Sequence, residues 1–270
     1  MRELVYGRQP VHEAMRAGRR QVFKLLLARE VKSSGIVSQI LALAASQKPA
    51  IPVQQVDRQA LDKLGGEVHH QGLAAEVSGY PYVDLTEILA AAKQAGEDPF
   101  LLLLDHIQDP QNLGSLLRTA EAVGVHGVVI PGRRAAGVTP AAVRASAGAA
   151  EHVRVALVSN LAQALDWFQA RGVWLAGLEA LPDAPLYTEA GLLGPLGLVI
   201  GSEGEGLSRL VCDKCDFLIR LPLHGQVGSL NAAVAGAIAL YEIRRQRDIK
   251  QESLVAEGLS GQGRFRTSEG

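Results

Sequence analysis

The stretch that decides the fold is Leu104-Asp105-His106-Ile107-Gln108-Asp109-Pro110-Gln111-Asn112-Leu113-Gly114, running on to Arg118. Two later segments share its build: Ile200-Gly201-Ser202-Glu203-Gly204-Glu205-Gly206, and Leu221-Pro222-Leu223 leading to Ser229-Leu230-Asn231. Each is an apolar, strand-like run that ends in a small or polar loop and then starts a helix. An α/β protein presents backbone donors and side chains to a ligand in this way, at the carboxyl ends of its strands.

Outward from these segments, the chain from Pro99 alternates strands and helices. Strands are expected at Phe100–Leu104, Gly127–Ile130, Val173–Gly177, Leu198–Ile200 and Phe217–Leu221. Helices are expected over 112–123, 139–147, 160–171 and 206–211, with a long one over 229–247. Near-continuous apolar strands alternating with helices mean a parallel sheet covered on both faces. Upstream, Val22–Ala28, Ile51–Val56 and Leu73–Val77 read as strands of a separate small α/β unit, until Ser78-Gly79-Tyr80-Pro81 breaks the pattern. The expected organisation is a small domain over 1–78, a linker over 79–98 holding an amphipathic helix, a larger domain over 99–248, and a polar, disordered tail over 249–270.

With 47% apolar but only 4% aromatic residues, the core must be built from Leu, Val, Ile and Ala. No apolar stretch reaches 18 residues and the N-terminus carries no apolar leader, so a cytoplasmic protein away from membranes is expected. Cys212 and Cys215 form a lone C-x-x-C without a second ligand pair, so two thiols are expected there and no zinc. The net charge of −1 argues against a strongly basic nucleic-acid coat. Residues 1–32 nevertheless hold eight basic against three acidic side chains, either a phosphate-facing surface or a solvated helix face.

The loop Gly201–Gly206 is spaced G-x-x-G-x-G, the reverse of the dinucleotide fingerprint, and lacks the Lys-Ser/Thr of a P-loop. It can bring bare backbone close to a flat group such as adenine. Glu203 and Glu205 repel polyphosphate and suit a cationic or neutral ligand; the sulfonium of S-adenosylmethionine fits that charge logic. Gly114 inside a helix costs roughly 1 kcal/mol against Ala, so something approaches the backbone there. Arg118, among Leu113, Leu116, Leu117 and Ala120, wants an anion partner, internal or external. On spacing alone Ser229 or Asn231 reads as a helix N-cap. The helix that follows carries Val234, Ile238 and Tyr241 on one stripe. Its many alanines permit close packing, at a subunit interface or in a tightly wrapped C-terminus.

In their order, the three motifs resemble the signatures of the SpoU/TrmH family of RNA 2′-O-methyltransferases, within the SPOUT class. The resemblance spans residues 99–247, takes in Val138-Thr139-Pro140 and Arg144–Ala149, and shows no departure at the motif positions. It implies Asn112, Arg118, Glu203, Ser229 and Asn231 as catalytic residues. It also implies S-adenosylmethionine bound largely through backbone at Gly201, Leu221 and Leu230, S-adenosylhomocysteine as product, and no metal. Guanidinium resists deprotonation, with a pKa above about 12, so Arg118 is expected to clamp the RNA phosphate and the developing alkoxide. Asn112, Ser229 and Asn231 would orient ribose and cofactor, and Glu203 would position Arg118 or a water. Tyr6-Gly7-Arg8-Gln9-Pro10-Val11-His12-Glu13-Ala14 is similar to the opening of an L30e-like RNA-binding domain. That layout looks closest to enzymes methylating a guanosine ribose in bacterial 23S rRNA. For the fold, the resemblance implies a deep C-terminal trefoil knot, otherwise nearly absent from proteins, and a homodimer with the knot at its interface. The other readings are a tRNA guanosine 2′-O-methyltransferase, an antibiotic-resistance rRNA adenosine methylase, and a non-catalytic RNA-binding protein.

Overall fold

The apolar runs become two sheets. A computed structural model describes residues 2–65 and 69–262. The first part holds β1 (Arg2–Tyr6), α1 (Arg8–Ala17), β2 (Val22–Ala28), α2 (Ile36–Ser46), β3 (Val53–Val56), α3 (Arg58–Gly65) and β4 (Leu73–Ser78). Its sheet runs β1-β4-β2-β3, with β4 antiparallel to β1 and β2, and β3 parallel to β2. β1 and α1 carry no clear signal in the sequence, because Arg-Glu-Leu-Val-Tyr buries only Val5 and Tyr6 and so lacks an apolar run.

The second part holds α4 (Leu85–Ala95), β5 (Phe100–Leu104), α5 (Pro110–Ala122), β6 (Gly127–Pro131), α6 (Pro140–Ala145), β7 (Val155–Val158), α7 (Leu161–Gln169), β8 (Trp174–Leu178), β9 (Leu196–Ile200), α8 (Arg209–Lys214), β10 (Phe217–Ile219) and α9 (Ala232–Gln262). The sheet order is β10-β8-β9-β5-β6-β7, and every pairing is parallel. β5 and β9 lie side by side at its centre with every residue buried, as their unbroken apolar sequences require. The sequence did not mark β7; it is a four-residue edge strand whose Leu157 stays 46% exposed.

The segment expected as a linker contains α4, capped by Asp84 and Glu87, and its Ile88 is fully buried against β6. A Cβ at Gly127 would fall 2.5 Å from that side chain, so glycine there lets helix and sheet meet. The expected disordered tail is corrected over its described part. α9 continues past Asp248 to Gln262, supported at the start by an Arg244–Asp248 ion pair of 2.7 Å. Lys250, Gln251, Glu252, Leu254 and Ala256 lack an apolar period but are good helix formers, so propensity extends a helix nucleated by packing upstream. Residues 263–270 lie outside the described residues.

The basic excess near the N-terminus is largely consumed internally. Arg20 is fully buried, with Nη1 3.1 Å from buried Glu151 across the domain junction and Nε 2.8 Å from the Ser78 carbonyl, and it pairs with Glu3. Arg19 donates to the carbonyls of Val153 and Pro81. Arg2 and Lys24 share Glu76, and Arg16 pairs with Glu13. Burial pushes the Glu151 carboxyl above its ordinary range, with Arg20 pulling it back. Burial also pushes Glu13 upward, but hydrogen bonds with His152 and His12 and the charge of Arg16 outweigh it and hold the carboxyl below that range. These contacts join the small domain to the large one.

Candidate active site

The three strand ends that opened the sequence reading converge. After β5, Asp109 Oδ1 accepts from Gln111 N at 2.9 Å and starts α5, with Pro110 at its first position; this leaves Asn112 buried at 8% exposure. After β9, Ser202 and Gly206 bond each other's backbone at 3.0 and 3.1 Å, folding the Gly loop back on itself. A Cβ at Gly201 would lie 2.0 Å from Gly206 C, so only glycine closes the loop. Two carboxylates anchor its far end: Glu179 accepts from Leu207 N at 2.9 Å and Asp105 from Ser208 N at 2.7 Å. After β10 the chain runs irregularly to Asn231, whose Oδ1 accepts from Ala233 N (3.0 Å) and Val234 N (3.2 Å) and so caps α9.

The other end of the same side chain reaches across. Asn231 Nδ2 donates to Asn112 Oδ1 at 3.0 Å and to Glu203 Oε1, which also accepts from Asn112 Nδ2 at 2.8 Å. Residues from all three motifs therefore close one polar ring, and Asn231 caps α9 with one side-chain atom while joining the ring with the other. Beside the ring opens a cavity lined by Gly201, Ser202, Glu203, Glu205, Leu221, Ser229 and Leu230, with Leu178, Glu179 and Ile200. Its walls are apolar and backbone, its charges are carboxylates, and no Lys or Arg lines it. That lining suits an adenine-bearing, cationic ligand and rejects a polyphosphate.

Arg118 does not join them. It is exposed and lines a separate cleft with Gln9, Glu13, Arg16, Glu121 and His152, at the junction with α1. Six residues along a helix turn through about 240° and climb roughly 9 Å, so Asn112 and Arg118 leave α5 on different faces. Arg118 forms no ion pair among the described residues, and Glu203 is held by the two amides instead of positioning it. Gly114 faces α6, where a Cβ would lie 2.4 Å from Ala145 Cβ, so its close approach is helix packing and not a ligand. Sequence reasoning missed Glu179, which follows β8 with no motif around it, and His106, which adjoins the ring. Among the described residues no group of three His, Cys, Asp or Glu could hold a metal ion. Cys212 and Cys215 are free thiols at the end of α8. No described helix is long and apolar enough to cross a membrane.

Fold and site together define a two-domain α/β protein whose parallel-sheet domain sets a Gly loop and a carboxylate-bearing cavity at its strand ends. Residues 99–241 match the SpoU rRNA Methylase family and residues 4–83 the RNA 2′-O ribose methyltransferase substrate-binding family. A Bacillus subtilis protein assigned to the TrmH family of tRNA/rRNA methyltransferases is 45% identical over 247 residues, 91% of this chain and 96% of its own. The crystal structure of the SpoU methyltransferase AviRb from Streptomyces viridochromogenes, in complex with the cofactor AdoMet, superposes with a TM-score of 0.74 at 29% identity. It covers 91% of this chain and 90% of its own. The A. aeolicus TrmH/SpoU tRNA modifying enzyme matches 57% of this chain and 77% of its own, with a TM-score of 0.52 at 28% identity. The chain belongs to the SpoU family of RNA 2′-O-methyltransferases, and its methyl donor is S-adenosylmethionine.

Proposed function

We propose that the protein methylates the ribose 2′-hydroxyl of a guanosine in 23S rRNA, in the cytoplasm and as a homodimer. The observation that carries this reading is the cavity at Gly201, Leu221, Ser229 and Leu230 opening beside the Asn112–Glu203–Asn231 ring. When bound, S-adenosylmethionine supplies a methyl group on a cationic sulfur. Gly201, Leu221 and Leu230 would hold its nucleoside through backbone, and Glu179 or Glu205 would face its positive charge. Asn112 and Asn231, locked by Glu203, keep their amides fixed for the ribose, while Ser229 sits on the exposed rim. The two matched domains favour a substrate gripped outside the catalytic domain: residues 1–78 would hold an RNA loop while residues 99–248 do the chemistry.

The dimer reading rests on α9 and the segment before it. Val227, Val234, Ile238 and Tyr241 are 73, 49, 37 and 58% exposed, an apolar surface bordering the cavity that a second copy would cover. The same region, where Gly236 lets α9 press on Ile200 and Leu116, is where the trefoil knot is proposed. Arg118, exposed and away from its own chain's ring, would then clamp phosphate and developing alkoxide at the second copy's site.

The test is methyl transfer from labelled S-adenosylmethionine to unmodified 23S rRNA and to unmodified tRNA, with the products digested to nucleosides. Label in 2′-O-methylguanosine from rRNA alone is expected. Label from tRNA, or in 2′-O-methyladenosine, overturns the substrate; cofactor binding with no transfer to any RNA overturns the enzymatic reading.

A further inference from the structure

Methylating a hydroxyl requires an acceptor for its proton, and none of the roles assigned above is that of a base. Guanidinium does not deprotonate in this range, and Glu203 Oε1 is already taken by two amide donors. Asn and Ser side chains are not bases at neutral pH.

His106 stands where such an acceptor is needed. A second cleft adjoins the donor cavity, sharing Ser202, Glu203 and Glu205 with it, and is otherwise lined by His106, Ile107, Gln108, Asp109 and Asn112. Glu203, the carboxylate of the ring, thus stands in a wall common to both spaces, with Asn112 on the side of the second cleft. His106 is the residue after the β5–Asp105 turn and sits at φ 59°, in the left-handed region that only a few non-glycine residues adopt. That backbone turns the imidazole back on its neighbour: Nδ1 lies 2.6 Å from Asp105 Oδ1. Asp105 is 1% exposed, its Oδ2 is used by Ser208 N, and its Oδ1 accepts no well-directed hydrogen bond from any described group, the 2.6 Å approach of His106 Nδ1 being close but not well directed. A buried carboxylate oxygen left with one imidazole nitrogen beside it favours a proton on that nitrogen, which leaves Nε2 bare. The imidazole side chain itself is 39% exposed.

We propose that His106, oriented by Asp105, is the base that receives the 2′-hydroxyl proton in the cleft beside the donor cavity. The inference rests on the methyltransferase reading above and adds a residue to it. As the 2′-oxygen bonds the methyl carbon, the carbon–sulfur bond breaks, its electron pair stays on sulfur, and the hydroxyl proton passes to His106 Nε2. Atoms and charge balance: the cationic sulfonium becomes a neutral thioether and the imidazole becomes imidazolium. Asp105, with Asp109, Glu203 and Glu205 around the same cleft, then faces the new positive charge. No metal or further reactant is required.

The test uses the full-length protein, S-adenosylmethionine and unmodified 23S rRNA. His106→Asn is the informative variant, because Asn tolerates a left-handed backbone yet cannot take a proton. Loss of a general base is expected to lower single-turnover methylation by about 10²–10⁴-fold, to flatten the rise of rate with pH, and to leave calorimetric affinity for S-adenosylmethionine unchanged. Added imidazole should restore part of the rate in His106→Gly. Nitrogen-15 spectra of the resting wild-type protein should show His106 protonated at Nδ1. The inference is overturned by the opposite tautomer, by a rate within about tenfold of wild type, by a pH profile that keeps its rise in His106→Asn, or by loss of cofactor affinity in that variant. A wild-type protein that binds cofactor but methylates no RNA sinks the parent reading; an active wild type with an indifferent His106→Asn sinks this one alone.

Discussion

Asn231 performs two tasks with two atoms, and two substitutions separate them. Its Oδ1 caps α9 through Ala233 N and Val234 N, while its Nδ2 ties Asn112 to Glu203. Losing a helix N-cap costs about 1 kcal/mol. The two side-chain bonds are partly exposed, so together they contribute about 1–2 kcal/mol. Asn231→Ala should therefore destabilise the protein by about 2–3 kcal/mol, which for a chain of this size lowers Tm by roughly 5–10 °C. Asn231→Ser keeps a hydroxyl that can accept from the first turn of α9 but cannot span the ring. It should recover about 1 kcal/mol, or roughly 2–4 °C, of that loss. Activity should not follow stability. Both variants leave Asn112 and Glu203 held only by their own 2.8 Å bond, and misplacing orienting groups by about 1 Å costs on the order of 10²-fold in rate. Calorimetry gives the first quantity and single-turnover methylation the second. If Asn231→Ser regains rate in step with Tm, Asn231 is only a cap and the ring has no part in the reaction.

Gly201→Ala would drive a methyl into the Gly206 backbone at 2.0 Å and open the loop; titration calorimetry should show S-adenosylmethionine bound at least about tenfold more weakly, near 1.4 kcal/mol. Arg20→Met leaves Glu151 charged, buried and unpaired, so a loss of about 3–5 kcal/mol is expected in thermal melts. Most of it should return in Arg20→Met with Glu151→Leu, and cofactor affinity should stay unchanged throughout. Burial, with the charges of Cys212, Asp216 and Asp105, pushes the Cys215 thiol up to about 12, and burial with Glu179 and Asp213 also raises Cys212. A raised thiol pKa means little thiolate at pH 8, so iodoacetamide should label both slowly in the folded protein and at the ordinary cysteine rate after unfolding.

Legibility followed the spacing of apolar residues. Phe100–Leu104 and, over Leu198–Ile200, the strand Leu196–Ile200 were readable because a strand buried on both faces must be apolar throughout. Arg2–Tyr6 and Val155–Val158 were not, since one mixes charges with two buried residues and the other is a short edge. Val234, Ile238 and Tyr241 form the stripe expected of α9, yet they face outward; Leu240 and Ile243 do the packing, a choice that period alone cannot make.

By itself the sequence determined the parallel α/β architecture, the Gly loop that excludes a polyphosphate, and the three motifs that mark the family, because each depends on residue type and local spacing. Tertiary structure alone decided which of those residues meet. Asn112, Glu203 and Asn231 lie up to 119 positions apart and touch only because β5, β9 and the lead into α9 end at one edge. Arg118 is six residues from Asn112 and faces another cleft, since helix rotation separates near neighbours as firmly as the sheet unites distant ones. The N-terminal arginines look like a surface for phosphate in sequence and become, for Arg19 and Arg20, the interior of a domain junction. Charge is a property of the residue, but its partner is a property of the fold.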